Sequence, residues 1–116
     1  MENLGHVMHD GTVIVYAIRR LARIQYIYVG STTQPIEVRL RRHLMDARKK
    51  RHVNKRLAHI IRQSQYMLIT DVLEVCPIHQ RAEVEYSHIM RLHEEGHKLT
   101  NQTNPKNPRQ KLSFAK

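Results

Sequence analysis

A single cysteine, Cys76, leaves this chain without an internal disulfide, and its place after the apolar run Val72-Leu73-Glu74-Val75 marks it as an inert buried thiol. No apolar run reaches the roughly 18 residues that a membrane-spanning helix needs. The first ten residues mix Glu2, His6, His9 and Asp10 and lack the apolar core of a secretory signal. These absences point to an intracellular protein with no membrane partner. Acidic residues are also scarce, 10 against 20 lysines and arginines, for a formal charge of +10. That excess attracts polyanions before any specific contact forms, which makes nucleic acid the leading partner class. There is no internal repeat, and 116 residues with 41% apolar side chains suit one domain with one core and no separate recognition domain.

What is present begins with two β-branched and aromatic runs, Thr12 to Ile18 and Ile24 to Gly30, split by a short basic connection. They read as a hairpin. A turn centred near Ala22 would set Tyr16 opposite Tyr28, with two phenols on one face and Cβ atoms ~5 Å apart. Both faces of the first strand are apolar (Val13, Val15, Ala17 against Ile14, Ile18), so helices are expected on both sides of the sheet. Pro35 suits a first helical turn, with Ser31, Thr32 and Thr33 upstream as caps and a stripe at Ile36, Leu40, Leu44 and Ala47 running to about Lys49. A second stripe at Val53, Leu57, Ile60 and Ile61 marks another helix. Tyr66 to Val75 reads as a third strand ended by Pro77. Ala82, Tyr86, Ile89, Met90 and Leu92 give the buried side of a third helix that Gly96 stops. The expected organisation is a flexible N-terminus over 1–11, a folded domain over 12–104 and a basic, flexible tail over 105–116, broken by Pro105 and Pro108.

The chemistry gathers at the strand-to-helix junction Tyr28-Val29-Gly30-Ser31, followed by Arg39 and His43. Arg39 and His43 stand four apart and so share one helix face, where a guanidinium and an imidazole can address one phosphate. Arg41, Arg42, Lys49, Lys50 and Arg51 continue this cationic stretch as a solvated face able to track a nucleic-acid backbone. Glu85 occupies a position where the third helix calls for an apolar residue. A buried carboxylate costs several kcal/mol unless compensated, so Glu85 is either a divalent-ion ligand or half of a buried ion pair with an arginine. One carboxylate is enough for Mg²⁺, which keeps water and substrate phosphate oxygens in its remaining positions.

A competing motif is His93-Glu94-Glu95-Gly96-His97, which matches the H-E-x-x-H pattern of zinc proteases. Gly96 should end the helix inside it, and no Glu, Asp or His follows His97 as a third ligand. His52, His59, His79 and His88 carry no role on sequence grounds.

The ordered series Ile14-Val15-Tyr16, Tyr28-Val29-Gly30, Arg39, His43, Glu85 and an asparagine near the end resembles the GIY-YIG nuclease family over roughly Thr12 to Asn104. It departs from the family pattern at the first motif's glycine, where Ile14 stands. The resemblance implies an α+β fold, a three-stranded antiparallel sheet flanked by helices on both sides. It also implies a single-metal site, holding Mg²⁺ or Mn²⁺, that hydrolyses DNA phosphodiesters. By it, Tyr16 or Tyr28 assists deprotonation of the attacking water, Arg39 steadies the phosphate, and His43 hydrogen-bonds the nucleophile or phosphate. Glu85 ligates the metal, and Asn101, with Asn104 as the alternative, orients the site. Specificity would then come from loops, the tail, a partner protein or a homodimer, or DNA shape. The alternative class is a module that holds nucleic acid without cutting it.

Overall fold

The computed structural model describes residues 11–115; the expectation for the N-terminal segment lies almost wholly outside them. Strands β1 (Thr12–Arg20) and β2 (Tyr26–Thr32) form the hairpin. Helices α1 (Ile36–Arg48) and α2 (Lys55–Gln63) follow, then strand β3 (Leu68–Pro77), helix α3 (Arg81–Glu94), and a short ribbon of β4 (Thr103–Asn104) and β5 (Asn107–Lys111). The main sheet has the order β2-β1-β3, antiparallel throughout. This is the expected three-stranded α+β architecture.

Because β1 is central, its alternating side chains enter two cores. Val13, Val15 and Ala17 pack with Val29 and with Ile89 and Leu92 of α3. Ile14, Tyr16 and Ile18 pack with Ala47 of α1 and Leu57, Ala58 and Ile61 of α2. A strand covered on both faces reads as a continuous apolar run, and residues 13–18 are all buried.

Several local expectations shift. The hairpin register pairs Tyr16 with Gly30 and Ile18 with Tyr28, two residues from the pairing inferred from a turn at Ala22, because β1 runs on to Arg20 and Ile27 is an extra, unpaired residue of β2. A slip of two preserves side-chain parity, so both phenols still share a face. Gly30 therefore lies inside β2, which runs on to Thr32, rather than ending the strand. Pro35 takes the N-cap position of α1, and no side chain caps that helix. Val53 lies outside α2 and is 92% exposed, since Asn54 caps the helix by accepting a hydrogen bond from the Leu57 amide. Tyr66 has φ of +63°, which β-structure excludes, and β3 starts at Leu68.

The segment after α3 carries more structure than a flexible tail would. Gly96, at φ +97°, ends the helix as expected, and the chain then runs along the outer edge of β2. The Tyr26 amide donates to His97 Nδ1, the Ile27 carbonyl accepts from both the amide and hydroxyl of Thr100, and Val29 is bound on both its amide and carbonyl by the Asn101 side chain. Further on, Leu112 is buried in the α3-side core and Phe114 stacks on His93 with ring centroids 4.0 Å apart.

Candidate functional site

The site lies where β2, α1 and α3 meet, on the α1 side of the sheet for the phenols and at its margin for Glu85. Gly30 explains how two tyrosines fit there. A Cβ at position 30 would stand 2.7 Å from Tyr16 Oη and 2.8 Å from Tyr28 Cε2, so only glycine lets both rings close over β2. The rings sit 6.5 Å apart between centroids, and the His43 ring lies edge-on 5.4 Å from that of Tyr28.

Tyr16 Oη is hydrogen-bonded to His43 Nε2 at 2.8 Å, beyond which His43 Nδ1 meets His52 Nε2 at 2.8 Å. His52 Nδ1 in turn accepts the Asn54 amide at 3.1 Å. Tyr16, His43 and His52 are all buried. Burial and then the charge it would share with Tyr28 raise the Tyr16 pKa well above the usual phenol range, with Arg39 opposing. Burial and the Glu85 carboxylate push Tyr28 up to about 12, again against Arg39 and Arg81. Burial, the Arg39 guanidinium and His52 push His43 down to about 3, so it is a neutral imidazole. Burial likewise lowers His52, with Arg39 and Lys55 adding to it and Asp46 opposing.

On the other wall, Glu85 Oε2 accepts from the Ser31 hydroxyl at 2.7 Å, and Ser31 Oγ accepts from Arg81 Nε at 2.7 Å. Among the described residues Glu85 makes no direct ion pair, and burial raises its pKa against the partial relief of Ser31 and Arg81. Glu85 shares a cleft of about 300 Å³ with Tyr28, Asn54 and Asn101. A neighbouring cleft of about 450 Å³ is lined by Ser31, Thr32, Arg39, Arg42 and Arg81. One side is thus acidic and the other strongly cationic. No group of three His, Cys, Asp or Glu is placed to hold a metal among the described residues. A single half-buried carboxylate without an ion-pair partner fits a hard cation that completes its shell with water and phosphate oxygens, and fits zinc poorly.

Asn101 uses both ends of its amide on Val29, Oδ1 accepting the N–H at 2.9 Å and Nδ2 donating to the carbonyl at 2.8 Å. It lines the cleft, but both polar ends of its amide are spent on fixing the strand between Tyr28 and Gly30. Asn104 instead closes the β4–β5 turn through Lys106 N and Gln110. Arg41, Arg42, Lys49, Lys50 and Arg51 are all exposed, with Arg51 bound to Asp46 at 3.2 Å. The zinc-protease motif is dismantled: α3 ends inside it, His93 stacks on Phe114 and His97 accepts the Tyr26 amide.

Ser31, Arg81, His52 and Asn54 belong to this site although no sequence motif marks them. Ser31 read as a helix cap and His52 as one of nine histidines, while Arg81 and Asn54 fell in no motif at all. Only the tertiary contacts separate them from their chemical equals.

The sequence matches the GIY-YIG catalytic domain over residues 13–107. The chain belongs to the GIY-YIG family, a family of nucleases, and its three-stranded α+β fold agrees with that membership. No curated protein and no solved structure matches it. No helix among the described residues is long and apolar enough to cross a membrane.

Proposed function

We propose that this protein is an endonuclease that hydrolyses DNA phosphodiesters with the help of one divalent cation, Mg²⁺ or Mn²⁺. The observation that carries the reading is the juxtaposition of the Tyr16–His43 hydrogen bond, 2.8 Å long, with a carboxylate at Glu85 that Ser31 and Arg81 only partly compensate and the cationic wall of Arg39, Arg42 and Arg81. A cation held by Glu85 would supply Lewis-acid neutralisation of charge on the phosphate. Arg39, with Arg81 behind Ser31, would grip the phosphate and oppose the negative charge that develops as water attacks.

Tyr16, hydrogen-bonded to His43 and with Arg39 opposing the effect of burial, would take the proton from water. Tyr28, which lines the cleft with Glu85, would orient the water. Tyr16 is only 1% exposed, so this division of roles requires Tyr28 or Arg39 to move aside as DNA docks. The exposed cations Arg41, Arg42, Lys49, Lys50 and Arg51 would follow the backbone away from the scissile bond.

Plasmid incubated with the protein and Mg²⁺ or Mn²⁺ is expected to be nicked, nicking to stop with chelator, and Glu85→Ala to bind DNA without cutting it. Binding by the wild-type protein with no metal-dependent nicking would leave it a non-catalytic nucleic-acid module.

A further inference from the structure

We infer that His52 is a positioning residue that locks His43 in one tautomer, so that His43 always donates to the Tyr16 oxygen and never accepts its proton. The inference rests on the nuclease reading for its catalytic consequence, but its structural core does not.

The hydrogen bonds run from the backbone inward. Asn54 caps α2 with its side chain, and its own amide N–H points at His52 Nδ1 at 3.1 Å. A backbone amide is only a donor, so His52 Nδ1 must be bare and the proton of a neutral His52 must sit on Nε2. That N–H faces His43 Nδ1 at 2.8 Å. The two rings are within 19° of coplanar and their centroids 5.0 Å apart, which is an in-line N–H···N contact rather than face stacking. His43 Nδ1 is therefore an acceptor, and a neutral His43 must carry its proton on Nε2, where it meets Tyr16 Oη at 2.8 Å. Each donor assignment forces the next, starting from one peptide group that cannot change.

The consequence concerns the direction of proton flow. A His43 with a bare Nε2 could accept the Tyr16 proton and make the pair a relay out of the cleft. With Nε2 protonated that route is closed, and Tyr16 works as a base only by losing its proton elsewhere. His43 then contributes by stabilising the phenolate through a charge-assisted hydrogen bond. His52 touches no substrate in this scheme, and its effect passes wholly through His43. Asn54 anchors the array at a second point, since its side-chain Nδ2 donates to the Thr100 carbonyl on the segment that closes β2.

The test uses the full chain with ¹⁵N-labelled histidine and long-range ¹H–¹⁵N spectra near neutral pH, together with cleavage kinetics. In the wild type, His43 and His52 are both expected to show a protonated Nε2 and a bare Nδ1. Observation of His43 protonated on Nδ1, or on both nitrogens, would overturn the inference whatever the activity. His52→Leu removes the donor and is expected to release His43 into a mixture of tautomers. It should lower kcat about tenfold or more while KM for DNA changes less than about twofold, as loss of a positioning group without loss of binding requires. His52→Gln places an amide N–H near the lost Nε2 and is expected to restore both the spectrum and most of kcat. A His52→Leu protein with an unchanged His43 spectrum, or with wild-type kcat, refutes the role. If His52→Leu does not fold, the wild-type spectrum and the His52→Gln variant decide. A wild type that shows the expected tautomers but never cleaves would fail the nuclease reading and leave the tautomer lock standing.

Discussion

Acid should destabilise this protein through His43 in particular. The side chain is fully buried, its pKa is pushed down to about 3, and the opposing charge of Asp46 is outweighed by burial, Arg39 and His52. In the unfolded chain the same imidazole titrates near ~6.5. Between those values the unfolded chain binds a proton that the folded protein refuses, so this contribution to stability is complete above about pH 6.5 and is lost progressively as the pH falls toward 3. Relative to pH 8, the loss at pH 5 from this one group is about 2 kcal/mol, and its ceiling in stronger acid is ~5 kcal/mol. Against a domain stability of ~5–15 kcal/mol, the first value weakens the fold and the second approaches unfolding it. The assay is urea denaturation at fixed ionic strength at pH 8 and pH 5, for the wild type and His43→Leu. The variant is less stable at pH 8 but cannot take up this proton, so its loss between the two pH values should be smaller by about 2 kcal/mol. His52, lowered in the same direction, is present in both proteins and largely cancels. Equal losses in the two proteins would show that His43 is hydrated or charged in the native state and would refute the argument.

Gly30→Ala forces a Cβ to within 2.7 Å of Tyr16 Oη, and overpacking of this kind is expected to cost about 1–3 kcal/mol in urea denaturation and to depress nicking by displacing the phenol. Wild-type stability in this variant would contradict the close approach. Asn101→Ala strands the buried amide and carbonyl of Val29, a loss of about 2–4 kcal/mol that thermal melts would read directly. Tyr16→Phe should flatten the dependence of cleavage on pH: because the phenol pKa is raised in the folded protein, the wild-type rate should climb through the neutral and alkaline range as the base loses its proton. A Tyr16→Phe enzyme that keeps that rise would move the role to Tyr28.

The sheet and helices were legible because burial leaves a period in the sequence. The doubly apolar β1, the stripe from Ile36 to Ala47 and the stop at Gly96 each follow from one local rule. Register was less legible, since the extra residue at Ile27 moves the pairing by two without changing which side chains face the core. Residues after Asn101 read as polar and proline-broken, and nothing local announces that Leu112 finds the α3-side core. Of the site, Tyr16 and His43 prove to be directly bonded, and Glu85 stands by the cleft with Tyr28. The role of His52 was out of reach, because it depends on the amide of Asn54, and a backbone donor has no letter in the sequence.

The bonds between the 97–101 segment and β2 also bear on when the site comes into being. Asn101 grips a residue 72 positions earlier in the chain. Domains emerge from the ribosome N-terminus first, so Tyr16, Tyr28, Arg39 and His43 are all synthesised before anything can close the strand that carries the second tyrosine. Until Thr100 and Asn101 arrive, Ile27 and Val29 present bare peptide groups along an open edge, and Glu85 has only just been added on the far side. The strand of the second tyrosine thus gains a closed edge only from residues synthesised 72 or 73 positions later, so the site depends on long-range contacts of the fold.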